Sequence, residues 1–151
     1  ATLLARLLGL PVAAGNKQRL ADDKVVISSV VGDVAGKKAI VLDDEIATGG
    51  SIVEIVSRLA DFGCAEASIA CTHGLFAGSA VERLTSATHI SEVVSTNTVP
   101  APENFPGLKV LSVASLFAEA IARIHSGNSV STLFNGVDPA YAQPQEPEGL
   151  F

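Results

Sequence analysis

The chain has 151 residues, enough for one domain with a genuine core, and 48% of them are hydrophobic whereas only 5% are aromatic. The net charge of −6 argues against a nucleic-acid-binding protein, because such proteins are usually basic. No apolar run is long and uncharged enough to cross a membrane. Cys64 and Cys71 lack the spacing of a metal site, which favours a reducing, cytoplasmic location.

Charged residues make up only 17% of the chain, which is low for an isolated domain. This composition has two interpretations. In the first, part of the apolar surface faces another domain or subunit; in the second, the core is unusually rich in Ala and Val. The composition favours the first interpretation.

The first predicted elements are short. Four leucines between residues 3 and 8 share one face of a helix that should end at Gly9. A short strand is predicted at residues 11–14. Residues 15–24 are polar and have no apolar period, so we expect a loop there. The β-branched run at residues 25–31 predicts a strand.

From residue 38 onward, predicted strands and helices alternate. Strands are predicted at 38–42, 67–71, 89–95 and 110–111, and helices at 48–63, 79–84 and 112–125. This alternation predicts an α/β fold with a mostly parallel sheet flanked by helices. We expect residues 1–134 to form one domain and residues 135–151, where Pro and Glu become frequent, to form a tail.

The strongest functional signal is the segment VLDDEIATGGSI at residues 41–52. Asp43 and Asp44 follow an apolar strand, and TGGS at residues 48–51 opens the next helix. Glycines let backbone N–H groups approach a phosphate, and a helix N-terminus adds partial positive charge. The hydroxyls of Thr48 and Ser51 can also donate to phosphate oxygens.

The acidic pair would repel a phosphate placed beside it, so it makes sense only if it faces hydroxyl groups or a metal on the same ligand. Ribose 5-phosphate offers both an anionic phosphate and vicinal hydroxyls. The alternative is that Asp43 and Asp44 are ordinary loop acids and TGGS merely caps a helix. The apolar strand, acid pair and amphipathic helix together favour the functional interpretation.

The segment resembles the phosphoribosyl-binding loop of type I phosphoribosyltransferase folds, and the resemblance extends further. The segments similar to the ribose-phosphate pyrophosphokinase family are GNKQR (15–19), VGDVAGK (31–37), CTHGLFAG (71–78), STNTVP (95–100), KVLSVA (109–114) and residues 121–134. They occur in the family's order over about residues 1–134. The resemblance is to the C-terminal half of that family only.

The resemblance implies a phosphoribosyltransferase-like fold and transfer of diphosphate from ATP to ribose 5-phosphate, with Mg²⁺ as cofactor. It places Lys17 and Arg19 on a catalytic loop, where they would stabilise charge on the transferring phosphates. It assigns ribose 5-phosphate binding to Asp43, Asp44, Ala47, Thr48, Gly49, Gly50 and Ser51. Ala47 departs from the usual Asp of the family, so only a backbone role carries over to that position.

Two other functions remain open. A phosphoribosyltransferase of the adenine type is favoured by Ala47, and a non-catalytic regulatory homologue would have kept the fold and lost activity. In this family, the N-terminal half binds ATP and supplies the usual metal-binding histidine. The resemblance does not include that half. No metal ligand in this chain is therefore certain, and we expect the chain to be inactive alone. The resemblance also implies a homo-oligomer, which agrees with the high fraction of apolar residues.

Overall fold

A computed structural model describes residues 2–21 and 24–134, with the backbone alone for residues 15–21, 24–29 and 31. These residues belong to two compact units, one from Ala1–Pro11 with Ala114–Phe151 and the other from Val12–Val113. The predicted domain boundary at residue 134 stays a prediction. The predicted tail lies outside the described residues.

The first unit contains the helices α1 (Thr2–Leu8) and α4 (Ala114–His125), followed by a 3₁₀ turn at Ser131–Phe134. The prediction that α1 ends at Gly9 is confirmed. Near the end of α4, Arg123 donates to Glu119 Oε1 at 2.6 Å and to Thr132 Oγ1 at 2.6 Å. One side chain therefore joins the helix to the turn that follows it.

The second unit begins with an antiparallel pair, β1 (Ala14–Ala21) and β2 (Lys24–Val31). The prediction of β2 is confirmed, but the prediction of a loop at residues 15–24 is wrong, because most of that segment is β1. A two-stranded ribbon is held by backbone hydrogen bonds, and these require no apolar alternation in the sequence. A polar segment can therefore pair with a β-branched strand although its own sequence shows no strand pattern.

The main sheet of this unit has four parallel strands in the order β3 (Lys38–Ile46), β4 (Glu66–Gly74), β5 (Ile90–Thr96) and β6 (Leu108–Leu111). Helix α2 (Gly50–Asp61) connects β3 to β4, and α3 (Ala80–Ser86) connects β4 to β5. The predicted α/β fold with a mostly parallel sheet is confirmed. Among the described helices, none is long and apolar enough to span a membrane.

The core lies where α2 and α3 cover the sheet. Alternate residues of β4, namely Ala67, Ile69 and Cys71, are buried, as expected for a strand with one covered face. The buried cluster comprises Ile46, Ile52, Val56, Ala67, Ile69, Cys71, Phe76, Ala80, Leu84, Val93 and Phe105. Ile46 and Ile52 are each 1% exposed and lie on either side of residues 47–51. The segment between them is thus anchored in the core at both ends.

We expect Ile69→Ala to lower the free energy of unfolding by about 3 kcal/mol, because it opens a cavity at a fully buried site. Ile40→Ala is the matched control, since Ile40 lies on the neighbouring strand and is 51% exposed. It should cost less than about 1 kcal/mol. Urea denaturation of both variants measures the difference, and equal losses would contradict the core described here.

Candidate functional site

The acidic residues lie at the carboxyl end of β3 and still belong to the strand, which is longer than the predicted 38–42. Asp43 pairs with Cys71 and Glu45 with His73 in the register of β3 and β4. The backbone N–H of Asp44 donates to Asp43 Oδ1 at 2.9 Å, and that of Glu45 donates to Asp44 Oδ1 at 3.1 Å. Asp43 and Asp44 are therefore not loop acids, and both are held by the backbone.

The pKa of Asp44 lies below its ordinary value, chiefly because the Asp43 side chain hydrogen-bonds to it. Backbone N–H groups of Asp44 and Glu45 lower this pKa further, and the nearby His73 also contributes. Asp44 is consequently a carboxylate at neutral pH, able to accept hydrogen bonds from hydroxyl groups. The side chain of Asp43 therefore lies near that of Asp44.

Residues 47–51, here called the anion loop, join β3 to α2. Gly49 is the N-cap of α2 in a left-handed conformation (φ 72°), and no side chain caps the helix. In the described part of the chain, the backbone N–H groups of residues 48–52 have no protein acceptor. The first backbone bond into the helix runs from Val53 N–H to the Gly49 carbonyl at 3.0 Å. Gly49 of the TGGS segment is thus the N-cap residue, but no side chain of the segment accepts a hydrogen bond from these N–H groups.

The backbone carbonyl groups where β3 ends and the anion loop begins accept hydrogen bonds from the segment that follows β4. The N–H groups of Leu75 and Phe76 donate to the Ile46 carbonyl at 3.0 and 3.1 Å, and that of Ala77 donates to the Ala47 carbonyl at 2.7 Å. These bonds keep two carbonyl oxygens away from a ligand at the loop. The predicted backbone role of Ala47 stays a prediction.

Phe76 makes this connection rigid. It has a positive φ of 47°, is 5% exposed, and meets Phe105 edge to face with ring centroids 5.0 Å apart. A Cβ atom on Gly74 would lie 2.3 Å from the Phe76 ring, so a side chain at residue 74 is excluded. The segment that binds the anion loop is therefore fixed by an aromatic pair and a glycine.

Helix α3 supplies two residues that the sequence analysis did not single out. Arg83 Nη1 donates to the Thr48 carbonyl oxygen at 3.2 Å. Leu84 is 2% exposed, and its Cγ would lie 3.2 Å from a Cβ atom on Gly49. Both residues lie more than thirty positions beyond the loop in the sequence, and no local pattern connects them to it.

A second polar cluster lies at the carboxyl ends of β4 and β5. His73 Nδ1 is 2.9 Å from Thr98 Oγ1, and the hydroxyls of Thr96 and Thr98 donate to the Thr72 carbonyl at 2.7 and 2.9 Å. His73 itself is exposed.

Cys71 lies beside Asp43, on the neighbouring strand β4. Burial raises the pKa of its thiol first, and the neighbouring Asp43 charge raises it further. Both Cys64 and Cys71 are free and buried, where a thiol packs as a small apolar side chain. Among the described residues, no cluster of three or more His, Cys, Asp or Glu could by itself hold a metal ion.

The predicted catalytic residues Lys17 and Arg19 lie on β1, and their side chains are outside the described part of the structure. Their catalytic role stays a prediction. The residues that the structure does bring together are Asp43 and Asp44, at the end of β3, and the anion loop that follows three residues later.

Comparisons with known proteins agree with this geometry. The family described as the phosphoribosyl synthetase-associated domain matches residues 12–135. A putative ribose-phosphate pyrophosphokinase of Streptomyces coelicolor is 53% identical over 137 residues, covering 89% of this chain and 43% of the relative. A ribose-phosphate pyrophosphokinase of Deinococcus radiodurans is 45% identical, with the same coverage of 89% and 43%.

A solved structure is similar as well. The crystal structure of phosphoribosylpyrophosphate synthetase from Mycobacterium smegmatis has a TM-score of 0.72 and 39% sequence identity, covering 82% of this chain and 40% of that one. The fold is thus of the α/β, phosphoribosyltransferase-like class predicted from the sequence. The chain belongs to the family of the phosphoribosyl synthetase-associated domain. It spans about 43% of the length of the curated relatives it matches.

We expect Gly49→Ala to destabilise the protein more than Gly36→Ala. Both glycines have a left-handed backbone, with φ of 72° and 68°, so alanine costs each about 1 kcal/mol or more. Only at Gly49 would the added methyl group also meet a buried side chain, that of Leu84. Thermal unfolding of the two variants gives the comparison, and equal shifts would show that α3 does not support the loop.

Proposed function

We propose that this chain forms the ribose 5-phosphate-binding part of a ribose-phosphate diphosphokinase, which transfers diphosphate from ATP to ribose 5-phosphate. The observation that carries the proposal is the set of N–H groups at residues 48–52 that have no acceptor among the described residues, next to the acidic side chains of Asp43 and Asp44. The names of the relatives support the same activity. They favour it over the phosphoribosyltransferase and the non-catalytic alternatives.

In this proposal the anion loop binds the 5-phosphate through its backbone N–H groups. The N-terminus of α2 contributes partial positive charge, and the first turn of that helix contains no acidic residue to oppose it. Thr48 and Ser51 are exposed, so their hydroxyls can donate to the same phosphate. Recognition of the phosphate then depends mainly on backbone geometry.

Asp43 and Asp44 would accept hydrogen bonds from the ribose hydroxyls. The lowered pKa of Asp44 keeps this residue ionised through the neutral range, so its contribution to binding should not vary with pH there. The phosphate end of ribose 5-phosphate would thus meet partial positive charge, and its hydroxyl end would meet acidic side chains. A free phosphate would lack the hydroxyl contacts, and ribose would lack the phosphate contacts.

The transfer itself requires an attack by the C1 hydroxyl oxygen on the β-phosphorus of ATP. A new oxygen–phosphorus bond forms, the bond between the α- and β-phosphates breaks, AMP leaves, and the hydroxyl proton is released. We propose that Lys17 and Arg19 stabilise the negative charge of the transferring phosphates, as the sequence resemblance implies. Activity would need ATP contacts from the remaining length of the relatives.

Mg²⁺ is the proposed cofactor. Asp43 and Asp44 fit this ion as a partial site, since Mg²⁺ commonly takes one or two carboxylates and completes its coordination with water and substrate phosphates. When bound, the ion would neutralise charge on the diphosphoryl group.

Residues 1–134 are proposed to act as one domain of a cytoplasmic homo-oligomer. Large apolar side chains support a covered surface. On α4, Phe117, Ile121 and Ile124 are 57%, 64% and 69% exposed in the isolated chain. An exposed apolar face of this size on one helix is expected to pack against protein.

Binding of ribose 5-phosphate to this chain tests the first part of the proposal. We expect titration calorimetry to give tighter binding for ribose 5-phosphate than for ribose or inorganic phosphate. Asp43→Asn should weaken binding by about tenfold, because a charge-assisted hydrogen bond becomes a weaker one. Asp61→Asn is the control, since Asp61 lies at the other end of α2 and pairs with Arg58. Equal affinity for all three ligands would refute the site.

Turnover tests the second part. A protein that carries this chain together with the remaining length found in the relatives should form AMP from ATP and ribose 5-phosphate, whereas this chain alone should not. Lys17→Ala should reduce the rate by about a hundredfold or more. Lys38→Ala is the control, because Lys38 is exposed and pairs with Glu66 at the amino end of β3. Turnover only with a free base would indicate a phosphoribosyltransferase, and no turnover would indicate a regulatory homologue.

A further inference from the structure

We propose that Arg83 is a positioning residue for the anion loop, an inference that rests on the proposed function. Its Nη1 atom donates to the Thr48 carbonyl oxygen at 3.2 Å and would lie 3.8 Å from a Cβ atom on Gly50. Arg58 and Arg123 each form an ion pair with a glutamate. Among the described residues, Arg83 has no carboxylate within 4.0 Å and instead binds the backbone of the loop.

The hydrogen bond fixes the orientation of a peptide group. In a trans peptide the carbonyl of one residue and the N–H of the next point in opposite directions, and the described chain contains no cis bond. With the Thr48 carbonyl directed to Arg83, the Gly49 N–H points to the opposite side. Arg83 therefore removes an oxygen that would repel an anion and turns a donor toward it.

The Thr48 carbonyl also bears on where the backbone hydrogen bonds of helix α2 begin. An α-helix starting one residue earlier would use the Thr48 carbonyl as the acceptor for the Ile52 N–H. Here the first backbone bond into the helix is accepted by Gly49, and the Ile52 N–H has no protein acceptor in the described chain. The Thr48 carbonyl binds Arg83, and the Ile52 N–H is one more donor available to a ligand.

The neighbouring Leu84 acts on the next residue of the loop. Its buried side chain lies against Gly49, where an added Cβ atom would be 3.2 Å from Cγ. Two consecutive residues of α3 therefore hold the Thr48 carbonyl and the Gly49 backbone in place. This contact with the loop backbone distinguishes Arg83 from an exposed cation that acts only through its charge.

The test compares Arg83→Leu with Arg58→Leu, which removes the same charge from the far end of α2. In the unliganded protein, Arg83→Leu should shift the backbone amide resonances of Gly49 and Gly50, whereas Arg58→Leu should not. Affinity for ribose 5-phosphate and for inorganic phosphate should fall by about tenfold in Arg83→Leu, the size expected for one hydrogen bond from a charged group. Arg83→Lys, which retains a charged donor, should recover most of the affinity.

Salt dependence separates positioning from direct attraction. Positioning predicts that the affinity ratio of wild type to Arg83→Leu stays constant as salt is raised, because orientation of a peptide is not screened. A ratio that falls toward one at high salt would overturn the proposal. If Arg83→Leu does not fold, the Arg83→Gln variant gives the same amide and affinity comparison, and wild-type values in that variant would overturn the proposal.

The outcomes also separate this proposal from the proposed function. Wild-type protein that binds ribose 5-phosphate, with unchanged amides and affinity in Arg83→Leu, would refute the positioning role alone. Shifted loop amides and weakened phosphate binding in Arg83→Leu, with no preference of the wild type for ribose 5-phosphate over phosphate, would support the positioning role and refute the proposed function.

Discussion

The hydrogen bonds from the segment after β4 to the end of β3 are the constraint on which the candidate site depends. Leu75, Phe76 and Ala77 donate to the carbonyls of Ile46 and Ala47, at the point where β3 stops and the anion loop begins. Fixing the backbone of a loop of five residues, two of them glycine, costs about 1–2 kcal/mol of conformational entropy per residue. Without these hydrogen bonds the loop would not keep one conformation. Because these bonds and the buried Ile46 and Ile52 define both ends, little of that freedom remains.

The site separates two electrostatic environments that would conflict if they were mixed. The N-terminus of α2 carries about half a positive charge in effect, whereas Asp43 and Asp44 supply acidic side chains. Three residues of chain lie between Asp44 and Thr48, and the carbonyls of Ile46 and Ala47 within that interval are bound elsewhere. A ligand with an anion at one end and hydroxyls at the other suits this arrangement. A ligand with only one of these groups would engage half of the site.

The sequence was sufficient to predict the parallel α/β fold and the position of the loop between β3 and α2, because both have local signals. The apolar strand, the acids and TGGS are contiguous, and glycine before a helix has a direct physical meaning. The residues that support the loop could not be predicted in this way. Arg83 is brought to Thr48 by the packing of α3, and β1 pairs through backbone hydrogen bonds. Neither interaction produces a periodic pattern in the sequence. The extension of β3 to Ile46 was also missed, since strand pairing with β4 tolerates acids at an exposed sheet edge.

The left-handed backbone of Phe76 has a consequence for protein engineering. Relieving a strained position with glycine is a common route to greater thermostability, and here it would return about 1–2 kcal/mol of backbone strain. The same change would delete a buried ring that packs on Phe105, a loss of about 3–5 kcal/mol. The balance therefore opposes the substitution. At this position the best backbone residue and the best side chain are incompatible, and the fold retains the side chain.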